Sequence, residues 1–562
     1  MPTPDHAAPL AKGFEAADWL VLGGYFALLA VTGVWLSRRK QRNTDDYFLA
    51  GRTMPAWAVA ISVLATAQSA ATFIGAPQSA YVSDLTYLSA NIGQFLAALV
   101  VAFFFIPALY RCGATTVYEL LETRVGRPSR AAAGWVFIVG RVFASGARLY
   151  VGALAGAMIL YNDSEPWQMR NAIVVMTTVG IFYTFVGGIR SVIWTDVMQA
   201  AVYVGAAAAA LWVLWSRIPG GAGPILAALQ EGAGASKLRV LDAGFGGVGP
   251  SHTYTLWTAL LGFTLLNLGF YGTDQDAMQR MLTCRSARRG AWSMIAAILV
   301  GVPVTLLFML VGLLLWVFYQ RPDLMGDAAP SNAPCGSLKV FLHFMLHDLP
   351  PGVSGFMMAG LFAAGLSSLN SALSALGSSF VNDFYRKWVR GGSDRHMLWA
   401  GRSAVVASGC LVGSFAVFCV HWQQHDQVPL VDFALRVMVF AYAGLVAVFL
   451  TVLFTNRGSN VTVIAALAVG FGLVVLMQPV VWKTDCYLLS WAARRVDAAL
   501  ADVVEVAAGW RFVYPTAVAD VTEAVARWRL AFPWQLTFAT GIAVLVCATG
   551  RRPEKRGEQH GR

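Results

Sequence analysis

Charge is what this sequence has least of. Only 13% of its 562 residues are Asp, Glu, Lys or Arg, against about 25% in an ordinary soluble protein. Other absences narrow the field. The seven cysteines form no C-x-x-C pair and no zinc-type spacing. Most lie in or beside apolar segments, where a thiol packs as a small hydrophobe; only Cys335 and Cys486 fall in loops expected outside, where a disulfide is open to them. His343 and His347 are four apart without the intervening Glu of a zinc protease, and they read as a surface helix. No G-x-x-x-x-G-K-[ST] loop occurs, which argues against an ATP-driven pump. No Ser-His-Asp arrangement stands out, so the chain is not read as an enzyme. The N-terminus, MPTPDHAAPLAKGFEAADW, has no cleavable-signal pattern, and neither end carries a lipidation motif.

What is abundant is apolar surface. The chain is 57% hydrophobic, in runs that repeatedly reach about 20 residues, the length that crosses about 30 Å of hydrocarbon. A barrel would show short alternating segments instead. Thirteen spans are expected: 16–36, 55–81, 84–110, 131–161, 170–188, 192–216, 254–275, 290–319, 352–383, 398–420, 429–455, 460–482 and 533–550. An odd number puts the termini on opposite sides. The net charge of +11 is no nucleic-acid signal, because its basic residues sit in short loops between spans. SRRKQRNTDDYFLAGR, RCGATTVYELLETRVGRPSR, QRMLTCRSARRG, YRKWVRGGSDRH and the tail RRPEKRGEQHGR all share one side if the N-terminus is outside. The positive-inside rule makes that side cytoplasmic. With a bacterial source assumed, the protein is expected in the cytoplasmic (inner) membrane. Two outside loops are long. Residues 217–253 are Gly-rich, a composition that favours disorder, and 483–532 read as an amphipathic insert on the outer face.

Polarity interrupts the membrane in a few places. Span 2, ISVLATAQSAATFIGAPQSAY, has small and polar residues in its middle, and Pro77 is expected to kink or break it. Span 7, TLLNLGFYGTDQDAMQR, carries Asn267 with Gly269 and Gly272 just after it. Two interrupted segments, each near the start of a half, point to a transporter binding site. Asp196 lies near the cytoplasmic start of span 6, with Arg190 as a candidate neighbour; Arg141 and Arg148 lie seven apart in span 4. Arg148 is too deep to reach water comfortably and requires a carboxylate, carbonyls, water or an anionic solute. Span 9 reads AAGLSSLNSALSALGSSF, and Ser367, Ser371, Ser374 and Ser378 fall on one helical stripe. That stripe is either a close-packing seam or a polar site.

Five runs carry a resemblance: GRTMPAWAVAISVLATAQSAATFIG, TTVYELLETRVG, TFVGGIRSVIWTDVMQA, FYGTDQDAMQRML and AAGLSSLNSALSALGSSFVNDFY, in that order over about 40–390. The chain resembles the sodium:solute symporter family. The resemblance implies an all-α polytopic membrane protein with two inverted five-helix repeats of the leucine-transporter type. These would be 55–216 and 254–455, with 1–54 and 456–562 peripheral, all within one transporter domain. It implies sodium-coupled symport of a small polar solute, sugar-like or carboxylate, by alternating access, from a monomer surrounded by lipid and binding no nucleic acid. A proton-coupled symporter and a non-transporting sensor of the same fold are the alternatives.

Carried over by position, the main Na+ site takes carbonyls of Ala65, Gln68 and Ala364 and hydroxyls of Ser367 and Ser368. At Gln68 the family usually has an apolar residue. Some members bind a second Na+ or shape its exit; here the matching residues are Ser69, Asp196, Asn370 and Ser371. The solute positions are Thr72, Asn91, Gln94 and Asn267, with Phe270 and Tyr271 at the inner gate. The sugar-contacting lysine of the galactose transporter has no counterpart in AAILVGVPV, and its span-11 glutamine aligns near Leu435. Arg148 leaves room for a carboxylate, and the family's sialic acid transporters use a span-4 arginine.

Overall fold

Hydrocarbon supplies no hydrogen-bond partners, so an apolar run must close its own backbone bonds, and a helix does so locally. In the computed structural model the described residues are 14–37, 43–161, 163, 165–232, 234–245, 247–249, 252–326, 329–330, 340–389, 393–425, 429–478 and 530–552. Among them every regular element is helical. The N-terminal 13 residues, Cys335, Cys486, residues 483–529 of the expected outer insert and the basic tail from 553 lie outside the described residues.

The principal elements are α1 (Ala16–Ser37), α2 (Ala56–Ala67), α3 (Ala70–Val82), α4 (Thr86–Arg111), α5 (Arg127–Tyr161), α6 (Pro166–Arg217), α7 (Ala222–Glu231), α8 (256–273), α9 (Gln275–Leu282), α10 (Ala287–Gln320), α11 (Val353–Ser379), α12 (Asp394–His425), α13 (Leu430–Phe454), α14 (Asn460–Leu476) and α15 (Phe532–Ala548). Among the described residues, eight helices are long and apolar enough to cross a membrane, or nine with the bent pair Thr44–Arg52 and Ala56–Ala67. The expected spans 5 and 6 join as α6, which turns at Gly188 with φ 63° and ψ 177°; a side chain there would be strained. Spans 2 and 7 are each divided, into α2/α3 and α8/α9.

The break in span 2 is not at Pro77. Gln68 and Ser69 adopt extended backbone (ψ 147° and 176°), while Pro77 lies inside an unbroken α3. Proline removes one donor, a defect that neighbouring helices can accommodate. Here α10 crosses so closely that a Cβ on Gly312 would lie 2.1 Å from the Pro77 carbonyl oxygen. The described part of residues 217–253 is folded. It contains α7, and Lys237 docks on the end of α3, donating to the carbonyls of Tyr81 (2.8 Å) and Ser83 (2.7 Å) above the Trp316 ring. Burial in this loop pushes the Lys237 ammonium down to about 8.

At the centre stands α11, with almost every residue buried, packed chiefly against α6. Its polar side chains face inward, whereas Leu20, Phe103, Phe182 and Trp212 of other helices face outward. The N-terminus of α11 is capped by α1: Asp18 Oδ1 accepts the N–H groups of Gly352 (2.8 Å) and Gly355 (2.7 Å). A carboxylate at this position satisfies free donors and meets the positive end of the helix. Asp18→Ala is expected to cost about 1–2 kcal/mol by loss of the cap, seen as a lower melting midpoint of the purified protein in detergent.

Candidate functional site

Two extended residues at Gln68–Ser69 release the carbonyls of the last turn of α2 and the first N–H groups of α3. No glycine or proline stands at the break itself, so surrounding helices hold it open. The second break comes at Asp274, after a π-helical turn over Gly269–Thr273, and Asp274 caps α9 by accepting the Asp276 N–H. Between the two breaks lies a cavity with about 810 Å³ of empty volume, partly open to solvent. Its lining includes Gln68, Ser69, Thr72, Asn91, Gln94, Arg148, Asn267, Phe270 and Tyr271, so the expected solute and gate positions come together there. Tyr87, Phe263, Thr305 and Met438 join them; single neutral residues in apolar runs carried no signal for this. Tyr87 meets Tyr254 with ring centroids 5.1 Å apart, which marks the side bearing residues 217–253.

The polar groups of the cavity are already oriented. Asn91 Nδ2 donates to the Leu88 carbonyl (3.0 Å) and Asn267 Nδ2 to that of Phe263 (2.8 Å). Gln94 Nε2 donates to the Tyr271 hydroxyl (2.6 Å). Only the nitrogen end of an amide can meet a carbonyl, so Asn91 and Asn267 keep their oxygens for other partners. Arg148 is 7% exposed. It donates to the Thr66 carbonyl at 3.4 Å, lies 3.2 Å from the Met438 sulfur and stands over the Phe270 ring at 5.9 Å. Among the described residues, no carboxylate forms an ion pair with it within 4.0 Å.

Beneath the cavity, away from that side, the serine face of α11 meets α2. Thr66 Oγ1 lies 3.3 Å from Ser371 Oγ, so the released turn of α2, Ala65 included, sits against the middle of α11. Ser368 donates to the Gly365 carbonyl (3.0 Å) and Ser371 to that of Ser367 (2.6 Å). Hydroxyls whose hydrogens are so engaged present lone pairs, as a hard cation requires. Ala65, Ala364, Ser367 and Ser368 are all buried. Asn370 turns away, its Oδ1 accepting from Thr184 Oγ1 at 3.2 Å.

Asp196 is not the interfacial neighbour of Arg190 that its position in the sequence allowed. Arg190 instead donates to Ala50 and Thr53. Asp196 is fully buried, accepting from Ser367 at Oδ1 (2.6 Å) and from Ser62 (2.5 Å) and Arg280 (3.2 Å) at Oδ2. Arg280 Nε donates to Ser62 (2.9 Å), and its NH1 donates to the Asp276 carbonyl (2.9 Å) and carboxylate (2.7 Å). Its NH2 also reaches Ser371. Arg141 pairs with Asp274 (3.0 Å) and with Asp276, and Tyr442 donates to Asp274 (2.6 Å). One ionic chain thus joins α2, α5, α6, α9, α11 and α13. The TDQDAMQR run held the partners of Arg141, a connection that spacing alone does not make. Further along α11, Ser379 donates to Asp383, which pairs with Arg130 (2.7 Å) beside Glu119 and Glu122.

The model of the family described as sodium:solute symporter matches residues 47–470. The chain is 30% identical over 408 residues to the sodium/sialic acid symporter NanT of Aliivibrio fischeri, covering 71% of this chain and 76% of that one. It is 28% identical over 469 residues to the sodium/sialic acid symporter SiaT of Proteus mirabilis, covering 82% and 90%. The human sodium/iodide cotransporter is 30% identical over 407 residues, covering 69% and 59%. A solved structure of a Na+-coupled sialic acid symporter in a substrate-bound, outward-open state shares the fold, with TM-score 0.73, 22% identity and coverage of 95% and 98%.

Removing one charge from the ionic chain leaves a buried partner uncompensated, which typically costs about 3–5 kcal/mol. Arg141→Met is therefore expected to lower the melting midpoint sharply. Adding Asp274→Asn, which restores the charge balance and keeps a capping oxygen, is expected to recover much of it.

Proposed function

The chain belongs to the sodium:solute symporter family, and on that premise we propose that it carries a small organic acid together with one Na+ through the cavity between its two broken helices. It is a sodium-coupled solute symporter and an integral membrane protein, not an enzyme. The relatives do not favour a proton-coupled symporter or a membrane sensor. Arg148 is the observation that carries the choice of an acid. A buried guanidinium with no carboxylate partner in the wall of a solute cavity is costly until an anion completes it. The named substrate of NanT and SiaT, sialic acid, is likewise an acid.

Na+ binds the carbonyls of Ala65, Gln68 and Ala364 and the hydroxyls of Ser367 and Ser368. Neutral oxygens bind a hard cation without gripping it too tightly. A charge count supports a single ion. In the ionic chain and the cavity wall, Asp196, Asp274 and Asp276 match Arg141, Arg148 and Arg280 in number. One Na+ with one monovalent acid keeps that balance, whereas either alone disturbs it, so each favours binding of the other. Asp196, Ser371 and Ser69 line the ion's path rather than a second site, because Arg280 already pairs with the Asp196 charge and donates to Ser371. Asn370 takes no part.

The two halves, 55–216 and 254–455, are inverted repeats, and each begins with a broken helix. Counting the two divided helices once each and α6 twice across its turn at Gly188 gives thirteen spans, with the N-terminus outside and the C-terminus cytoplasmic, in the inner membrane of a bacterium. The cavity lies wholly within one chain, so a monomer in lipid suffices and no nucleic acid is needed. Phe270 and Tyr271 close the inner gate, and the halves rock to expose the acid and ion to the cytoplasm.

The test is uptake of labelled acids, sugars and amino acids into proteoliposomes with and without a Na+ gradient. Acids are expected to accumulate only with Na+. Arg148→Gln is expected to abolish this, and Ser368→Ala to raise half-activating Na+ about tenfold, for the loss of about 1.4 kcal/mol. A potassium diffusion potential should leave uptake of a monovalent acid unchanged; strong stimulation by an inside-negative potential would require a second Na+.

A further inference from the structure

Nothing in the proposed ion site explains the Gln68 side chain, because only its carbonyl is assigned there. The side chain is 9% exposed and lines the cavity. Its Nε2 lies a long 3.5 Å from the Thr305 hydroxyl, and its Oε1 has no hydrogen-bond partner among the described residues. If the amide is turned over, Thr305 donates to the oxygen and the –NH2 is left instead. Either orientation leaves one polar end of a buried carboxamide unpaired, an arrangement that costs free energy unless a ligand completes it.

We infer that the Gln68 carboxamide is a selectivity contact for the transported solute, pairing with a hydroxyl or N–H carried a few atoms from its acidic group. The inference rests on the acid reading of Arg148. The surrounding chemistry points the same way. Asn91 and Asn267 keep carbonyl oxygens free, and both line the cavity with Gln68. The cavity therefore offers one guanidinium for an anion and several acceptors for donors. A hydroxylated or amidated acid fits this set, whereas a plain short-chain acid or an inorganic anion leaves the acceptors unpaired. Gln68 also stands at the break of the first divided helix, with backbone on the ion side and side chain on the solute side. One residue thereby touches both cargoes.

The experiment compares labelled acids matched except for hydroxyls, lactate with propionate and gluconate with hexanoate, in Na+-driven proteoliposomes. The wild type is expected to prefer the hydroxylated member of at least one pair. Gln68→Leu is expected to raise KM for that member about tenfold relative to KM for its plain partner, the worth of one neutral hydrogen bond. Unchanged preference in Gln68→Leu overturns the inference, as does a shift confined to Na+ activation. If the leucine variant does not insert, Gln68→Asn, which withdraws the carboxamide by one methylene, is read in the same way. If the wild type takes up no acid but does take up glucose, the Arg148 reading fails. Gln68 is then judged on glucose against its monodeoxy analogues: selective loss of preference in the variant supports it, and retained preference overturns it.

Discussion

In hydrocarbon, a polar group that finds no partner in the protein finds none at all. Several unusual features of this chain answer that constraint. The extended residues at Gln68 and Ser69 are possible only because they border a cavity rather than lipid. Arg141 and Arg280 are possible because carboxylates meet them in the core. Even the first helix obeys the rule, delivering Asp18 to the free donors at the start of α11.

Arg280 shows how far one side chain can extend this. Its guanidinium reaches Asp276 on its own helix, Ser62 on α2, Asp196 on α6 and Ser371 on α11. Such a fork ties the short helix beyond the second break to the helices around the first. These bonds join α9 to α2, α6 and α11 at one point. The same chain of charges sets the electrostatics of the cavity above it. On the proposed reading, a cation and an anion bound together leave the balance of that chain unchanged, which is a physical form of coupling.

The helical, membrane-spanning character of the chain was legible in its composition, since hydropathy reports the solvent that a segment must face. So were the two divided segments, although not the location of the first division. Pro77 gave the stronger local signal, yet the helix passes through it and opens at Ala67–Gln68–Ser69. Propensity scores a residue against its own helix, whereas the break is decided by what packs beside it. The 217–253 loop is a similar case: its glycines advertised flexibility, while a single lysine found two carbonyls to cap.

The sequence by itself determined the fold class, the family and the residue types available for an ion and a solute. Periodicity and motif order survive without coordinates. Tertiary structure alone decided which of those residues meet. Adjacent letters Ser367, Ser368, Asn370 and Ser371 read alike, but a helix turns 100° per residue. Ser367 therefore serves Asp196, Ser371 lies beside Thr66, and Asn370 faces Thr184. Asp196 and Arg280 are 84 positions apart, and only the packing of α6 against α9 brings their charges to one point.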